Sequence, residues 1–76
     1  MRLDQVLAQL SKRGFRKIGT WTIKGRTGIT IGDPEKYFPY AVGPRYQIDL
    51  TDDQNPELTI EELLAIERRF GVDLTN

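Results

Sequence analysis

The spacing of apolar residues changes twice along this chain, and that limits the folds open to it. Leu3, Val6, Leu7 and Leu10 recur at i, i+3, i+4 and i+7, a helical stripe about 100° wide. From Phe15 to Lys24 the residues turn aromatic and β-branched, as in a strand. Ile29 and Ile31 then alternate with threonine, and Tyr46, Ile48 and Leu50 alternate with Arg45, Gln47 and Asp49. Helical spacing returns in Ile60, Leu63, Leu64, Ile66 and Phe70. The order is α-β-β-β-α, which an α+β domain satisfies: a three-stranded antiparallel sheet with two helices on one face.

Punctuation sets the boundaries. Asp4 suits the first turn of a helix over about residues 2–13, Lys12 and Arg13 suit its last turn, and Gly14 supplies a left-handed stop. In the first strand, regular pleating puts Phe15, Trp21 and Ile23 on one face and Ile18 on the other, with Gly19 as the candidate bulge between them. The tetrapeptide Gly25-Arg26-Thr27-Gly28 reads as the hairpin turn. Residues 32–44 form the longest irregular stretch, and residues 51–57 an acidic loop. The last helix has the plainest start: Thr59 and Glu62 form a capping box, and Leu58 and Leu63 a hydrophobic staple. Gly71 ends it, and Val72 can pack back on it.

A chain of 76 residues makes one domain with one core and a stability of roughly 3–5 kcal/mol. It holds no cysteine and no histidine. Disulfides, thiolate zinc sites, cysteine nucleophiles and the commonest general base are thereby excluded. No cofactor is expected. The longest apolar run, Leu63-Leu64-Ala65-Ile66, is too short to span a bilayer, and the N-terminus lacks a signal-peptide pattern, so a cytoplasmic chain is expected.

Charge is neutral in total but sorted along the chain. Residues 1–26 hold seven bases and one acid, net +6; residues 27–76 hold ten acids and four bases, net −6. Such sorting points to recognition by electrostatics. The bases Lys12, Arg13, Arg16, Lys17, Lys24 and Arg26 would form a phosphate-binding patch if they converge; as ordinary helix-end and strand-face charges they would do no more than solvate the surface. Tyr37, Phe38 and Tyr40, around Pro39, are candidate anchors for a protein partner. Alternatively they cover the open end of the sheet, and in either case Phe38 is expected to be the most buried of the three.

Glu67 falls inside the apolar arc of the last helix, which predicts a rim acid paired with Arg16 or Lys17. Asp49, Asp52, Asp53, Asn55 and Glu57 offer oxygen ligands, but the spacing fails the EF-hand pattern at Gln54 and Ile60, so a solvated loop is the better reading and no metal is expected. Asp33 and Glu35 have no partner that fixes them for acid–base work.

An amphipathic helix, then Gly14-Phe15, a basic first strand, Gly19 and a hairpin together make residues 3–31 resemble the HicA-type toxins of bacterial toxin–antitoxin modules. That resemblance implies a fold like the double-stranded-RNA-binding domain and an RNA-facing ancestry. In the family, a histidine after the glycine-small pair cleaves RNA; here Gly19-Thr20 is followed by Trp21, so nuclease activity is not implied. The last helix, longer and more acidic, also departs from the family.

The residues favour a non-enzymatic binding or inhibitory module acting on a protein partner through Tyr37, Phe38 and Tyr40, in the manner of small phage or mobile-element regulators. The alternative is an RNA-binding domain using Arg13, Arg16, Lys17, Lys24 and Arg26. Head-to-tail self-association is a further option, since opposite charges lie in different parts of the chain.

Overall fold

In the computed structural model, which describes residues 1–38 and 40–75, the elements are α1 (Leu3–Ser11), β1 (Arg16–Ile23), β2 (Arg26–Gly32), α2 (Pro34–Tyr37), β3 (Arg45–Asp49) and α3 (Ile60–Phe70). Pro39 lies outside the described residues. The strands form one antiparallel sheet in the order β1-β2-β3. Leu3, Val6 and Leu10 of α1 and Leu63, Ile66 and Phe70 of α3 are buried with Ile29, Ile31 and Ile48 of the sheet. Both long helices therefore cover the same face, and neither reaches across the opposite one.

The starts of both long helices are capped, α3 locally and α1 from a distant loop. The Thr59 hydroxyl accepts from the Glu62 N–H at 3.1 Å, and the Glu62 carboxylate accepts from the Thr59 N–H at 2.9 Å. Leu58 and Leu63 of the staple are both buried, and Gly71 closes the helix at φ +68°. At α1 the loop before α3 does the capping: the Asn55 side-chain oxygen accepts from Asp4 N–H, and the Pro56 carbonyl accepts from Leu3 N–H, both at 2.9 Å. The acidic loop thus ties the first helix to the last. Helix α1 ends at Ser11, so Lys12 and Arg13 follow it rather than fill its last turn.

Three expectations about the elements change. The hairpin loop is Lys24-Gly25, with Ile23 paired to Arg26. Both loop residues have positive φ (49° and 79°), the two-residue geometry whose twist matches the strands it joins. Residues 26–28, expected in the turn, belong to β2. Second, α2 breaks the irregular stretch: the Asp33 carboxylate caps it by accepting from Glu35 N–H at 2.9 Å, and Pro34 opens its first turn. Third, α3 buries a narrower arc than its spacing implied. Leu63, Ile66 and Phe70 point inward, whereas Ile60 and Leu64 are 59% and 40% exposed, since α3 rests on the edge strand β3.

Candidate binding surface on the open face of the sheet

A register shift between Lys17 and Gly19 decides what the open face displays. Before the shift, Phe15 turns inward and stacks on Phe70 with ring centroids 4.6 Å apart. Beyond it, Trp21 and Ile23 stand opposite Gly28 and Arg26, on the face away from buried Ile29 and Ile31. The extra residue brings Ile18 to that face too, where its Cδ1 lies 2.8 Å from the place a Cβ on Gly32 would occupy. Ile18, Trp21 and Ile23 therefore share one surface. Phe15, expected with Trp21 and Ile23, belongs to the core instead.

Glycines floor this surface. The Trp21 indole lies over Gly28, and its Nε1–H donates to the Ile29 carbonyl at 3.2 Å. The next row across the sheet is Gly19, Thr30 and Gln47. These small or flexible side chains leave a shallow trough of about 600 Å³, walled by Ile18, Tyr37 and Arg45 and reaching Arg69 at the β3 edge. Arg69 is fixed by donating from Nη1 to the Arg45 carbonyl at 2.9 Å. Arg45 lies over the Tyr37 ring, 5.4 Å from its centroid.

The aromatic segment meets this surface at one end. Tyr37 is half-buried beneath Arg45, and Phe38 packs edge-on to it with centroids 4.9 Å apart. Phe38 is 55% and Tyr40 74% exposed. The expected order is reversed: Tyr37, not Phe38, is the most buried of the three, since its ring has both Arg45 and Phe38 to pack against.

The basic residues do not converge. Arg26 is taken by acids, its Nε donating to the Asp49 carboxylate at 2.6 Å and its Nη2 lying 3.5 Å from Asp52. Asp49 is held well below the usual carboxylate range by Arg26 and by hydrogen bonds from Thr51. Lys24 sits in the hairpin loop, roughly 20 Å along β1 from Lys17 at strand rise. Arg16 and Lys17 diverge, Arg16 opposite Gly32 on the open face and Lys17 opposite buried Ile31 beside Leu3 and Leu7. Lys12, Arg13, Arg16 and Lys17 are exposed and have no carboxylate within ion-pair reach among the described residues. They form a corner where α1 hands over to β1, and Asp33 and Glu35 border its Arg13–Arg16 side.

Glu67 corrects another expectation. Instead of pairing with a base, its carboxylate accepts from the Leu74 N–H, from the Thr75 N–H at 3.0 Å and from the Thr75 hydroxyl at 3.2 Å. These hydrogen bonds, the Leu74 one foremost, lower its pKa. Its role is to hold the segment that seats Leu74 in the core. In the acidic loop, Asp53 accepts from Asn55 N–H at 2.9 Å and Glu57 lies 3.7 Å from the terminal amino group. Among the described residues no three acidic side chains are placed to hold a metal ion, and no helix is long and apolar enough to cross a membrane.

The open-face surface was the site that sequence reading missed. Its signal was present: counting back from a two-residue Lys24-Gly25 turn places Trp21 opposite Gly28, a large ring over an empty position. The chain matches no protein-family model, no curated protein and no solved structure.

Proposed function

We propose that this chain is a non-enzymatic binding module that docks a protein partner on the open face of its sheet and acts, as an inhibitor or regulator, by occupying that partner. The observation that carries the reading is the bulge at Ile18. It aligns Ile18 with Trp21 and Ile23 on the sheet face that neither α1 nor α3 covers, and α2 brings Tyr37, with Phe38 packed on its ring, to the edge of that face. Large side chains left outside so small a core are the raw material of a binding hot spot. Tyr37 and Phe38 serve as anchors and Tyr40 as an exposed flank. The phage or mobile-element character and a cytoplasmic setting belong to the same proposal.

The test is capture from native host extract with tagged wild type and Ile23→Asp, each followed by mass spectrometry. Ile23 is 60% exposed, so the substitution spares the core. A protein retained by wild type and lost by Ile23→Asp is the expected result. The same proteins on both baits would contradict the reading.

A second reading rests on the corner of Lys12, Arg13, Arg16 and Lys17, whose charges stand free of carboxylates among the described residues. It assigns RNA binding there, with Lys24 and Arg26 left out. RNA affinity that falls steeply between low and physiological salt would favour it; an absent gel shift at low salt would remove it.

A further inference from the structure

We infer that the trough across the open face receives an extended acidic peptide segment of the partner, with a carboxylate between Arg45 and Arg69 and an apolar side chain on Ile18. The inference rests on the proposed function and names the chemistry of what docks there.

Charge complementarity is the first ground. No acidic side chain lines the trough, while two guanidinium groups reach it at the β3 end. Both are already positioned, Arg45 against the Tyr37 ring and Arg69 on the Arg45 carbonyl. Neither has a carboxylate within ion-pair reach among the described residues. Asp49, on the adjoining row, is committed to Arg26, and Glu62, whose charge reaches Tyr46, to the Thr59 N–H. A planar guanidinium held in place binds a carboxylate through paired hydrogen bonds with little further loss of freedom.

Shape is the second ground. The rows flanking Gly19-Thr30-Gln47 are those of Gly28 and Gly32. Their backbones stand roughly 13 Å apart at strand rise. Trp21 over Gly28 and Ile18 over Gly32 narrow that gap below the 10–12 Å or so that a helix needs, but leave room for one extended chain. A nucleic-acid strand fits less well, because its phosphates require positive charge repeated along the path. Beyond the arginines, this path offers Thr30, Gly19 and Ile18.

Panning a random-peptide display library against the wild-type protein tests the inference. Arg45→Gln/Arg69→Gln is panned in parallel, and circular dichroism confirms that this variant is folded. Expected are enriched sequences with Asp or Glu beside an apolar residue. Their synthetic peptides should shift the fluorescence of Trp21, the chain's one tryptophan, and bind the double variant roughly tenfold or more weakly. Enrichment of basic or uncharged sequences, no enrichment, equal binding by the double variant, or displacement of the peptide by an oligothymidylate of equal charge would each overturn it. If the library result is negative while Ile23→Asp still abolishes partner capture, the acidic occupant fails and the docking face stands. If Ile23→Asp changes nothing, the face itself fails.

Discussion

Trp21 covers Gly28: the six-membered ring of the indole occupies the space where a side chain at residue 28 would begin, and the Ile48 carbonyl oxygen closes the same space from β3. The open face owes its form to this pairing. A glycine in a central strand weakens it unless another group uses the vacancy, and here an aromatic ring does so while its N–H satisfies a strand carbonyl. Gly28→Ala is therefore expected to destabilise the domain by about 1–3 kcal/mol and to shift Trp21 emission to the red as the ring is displaced. Gly19→Ala, in the same sheet with nothing within 4 Å of its added Cβ, should change stability by less than about 0.5 kcal/mol. Urea titrations of both variants check the contrast. Equal effects would mean that the ring does not lie over Gly28.

The Lys24-Gly25 loop carries a lysine at φ +49°, a conformation that asparagine tolerates better. Lys24→Asn should raise stability by about 0.5–1 kcal/mol and leave the Ile23–Arg26 register unchanged. A loss of stability, read by thermal unfolding, would argue for a different turn.

The last helix depends on its reciprocal cap. Thr59→Ala leaves the Glu62 N–H without its side-chain acceptor and is expected to cost about 1 kcal/mol. Thr59→Ser, which keeps the hydroxyl, should recover most of that loss. Chemical denaturation of the three proteins decides the matter.

Acid should release the C-terminal segment before it unfolds the core. Glu67 binds its proton less readily in the folded chain than in an unfolded one, because the Leu74 and Thr75 N–H groups and the Thr75 hydroxyl favour the carboxylate. Its stabilising contribution is therefore complete above the unfolded glutamate value and lost as pH falls through the lower folded value. Asp49, also lowered, acts with the same sign. Protection of the Leu74 and Thr75 amides, measured against their intrinsic exchange rates at each pH, should fall below about pH 4 while that of Ile31 holds. Glu67→Gln should remove the pH dependence of protection at those two amides, and its persistence in that variant would contradict the assignment.

Where local rules act alone, the sequence was a sufficient guide. Thr59 and Glu62 cap α3, Gly71 stops it, and Tyr46, Ile48 and Leu50 face inward while Arg45, Gln47 and Asp49 face out. Where the outcome depends on which of two turns closes, the reading failed. Placing the hairpin at residues 25–28 hid the Trp21–Gly28 pairing and with it the open-face site. The charge pattern misled for a related reason: Lys12, Arg13, Arg16, Lys17, Lys24 and Arg26 are close in sequence, but an eight-residue strand carries them to opposite ends of the sheet, and Arg26 meets Asp49 only through the pairing of β2 with β3. Glu67 was legible as an anomaly in an apolar arc, but not its partners, which are backbone groups of a segment beyond the helix.

Site-specific photo-crosslinking in the native host tests the central claim most directly. A photoreactive phenylalanine analogue replaces Ile23 on the open face in one protein and Ile60 on α3 in another, two positions of nearly equal exposure (60% and 59%) on different surfaces. The account predicts a discrete protein adduct from position 23 and none from position 60. Adducts from position 60 alone would place the partner on the helix side and contradict it.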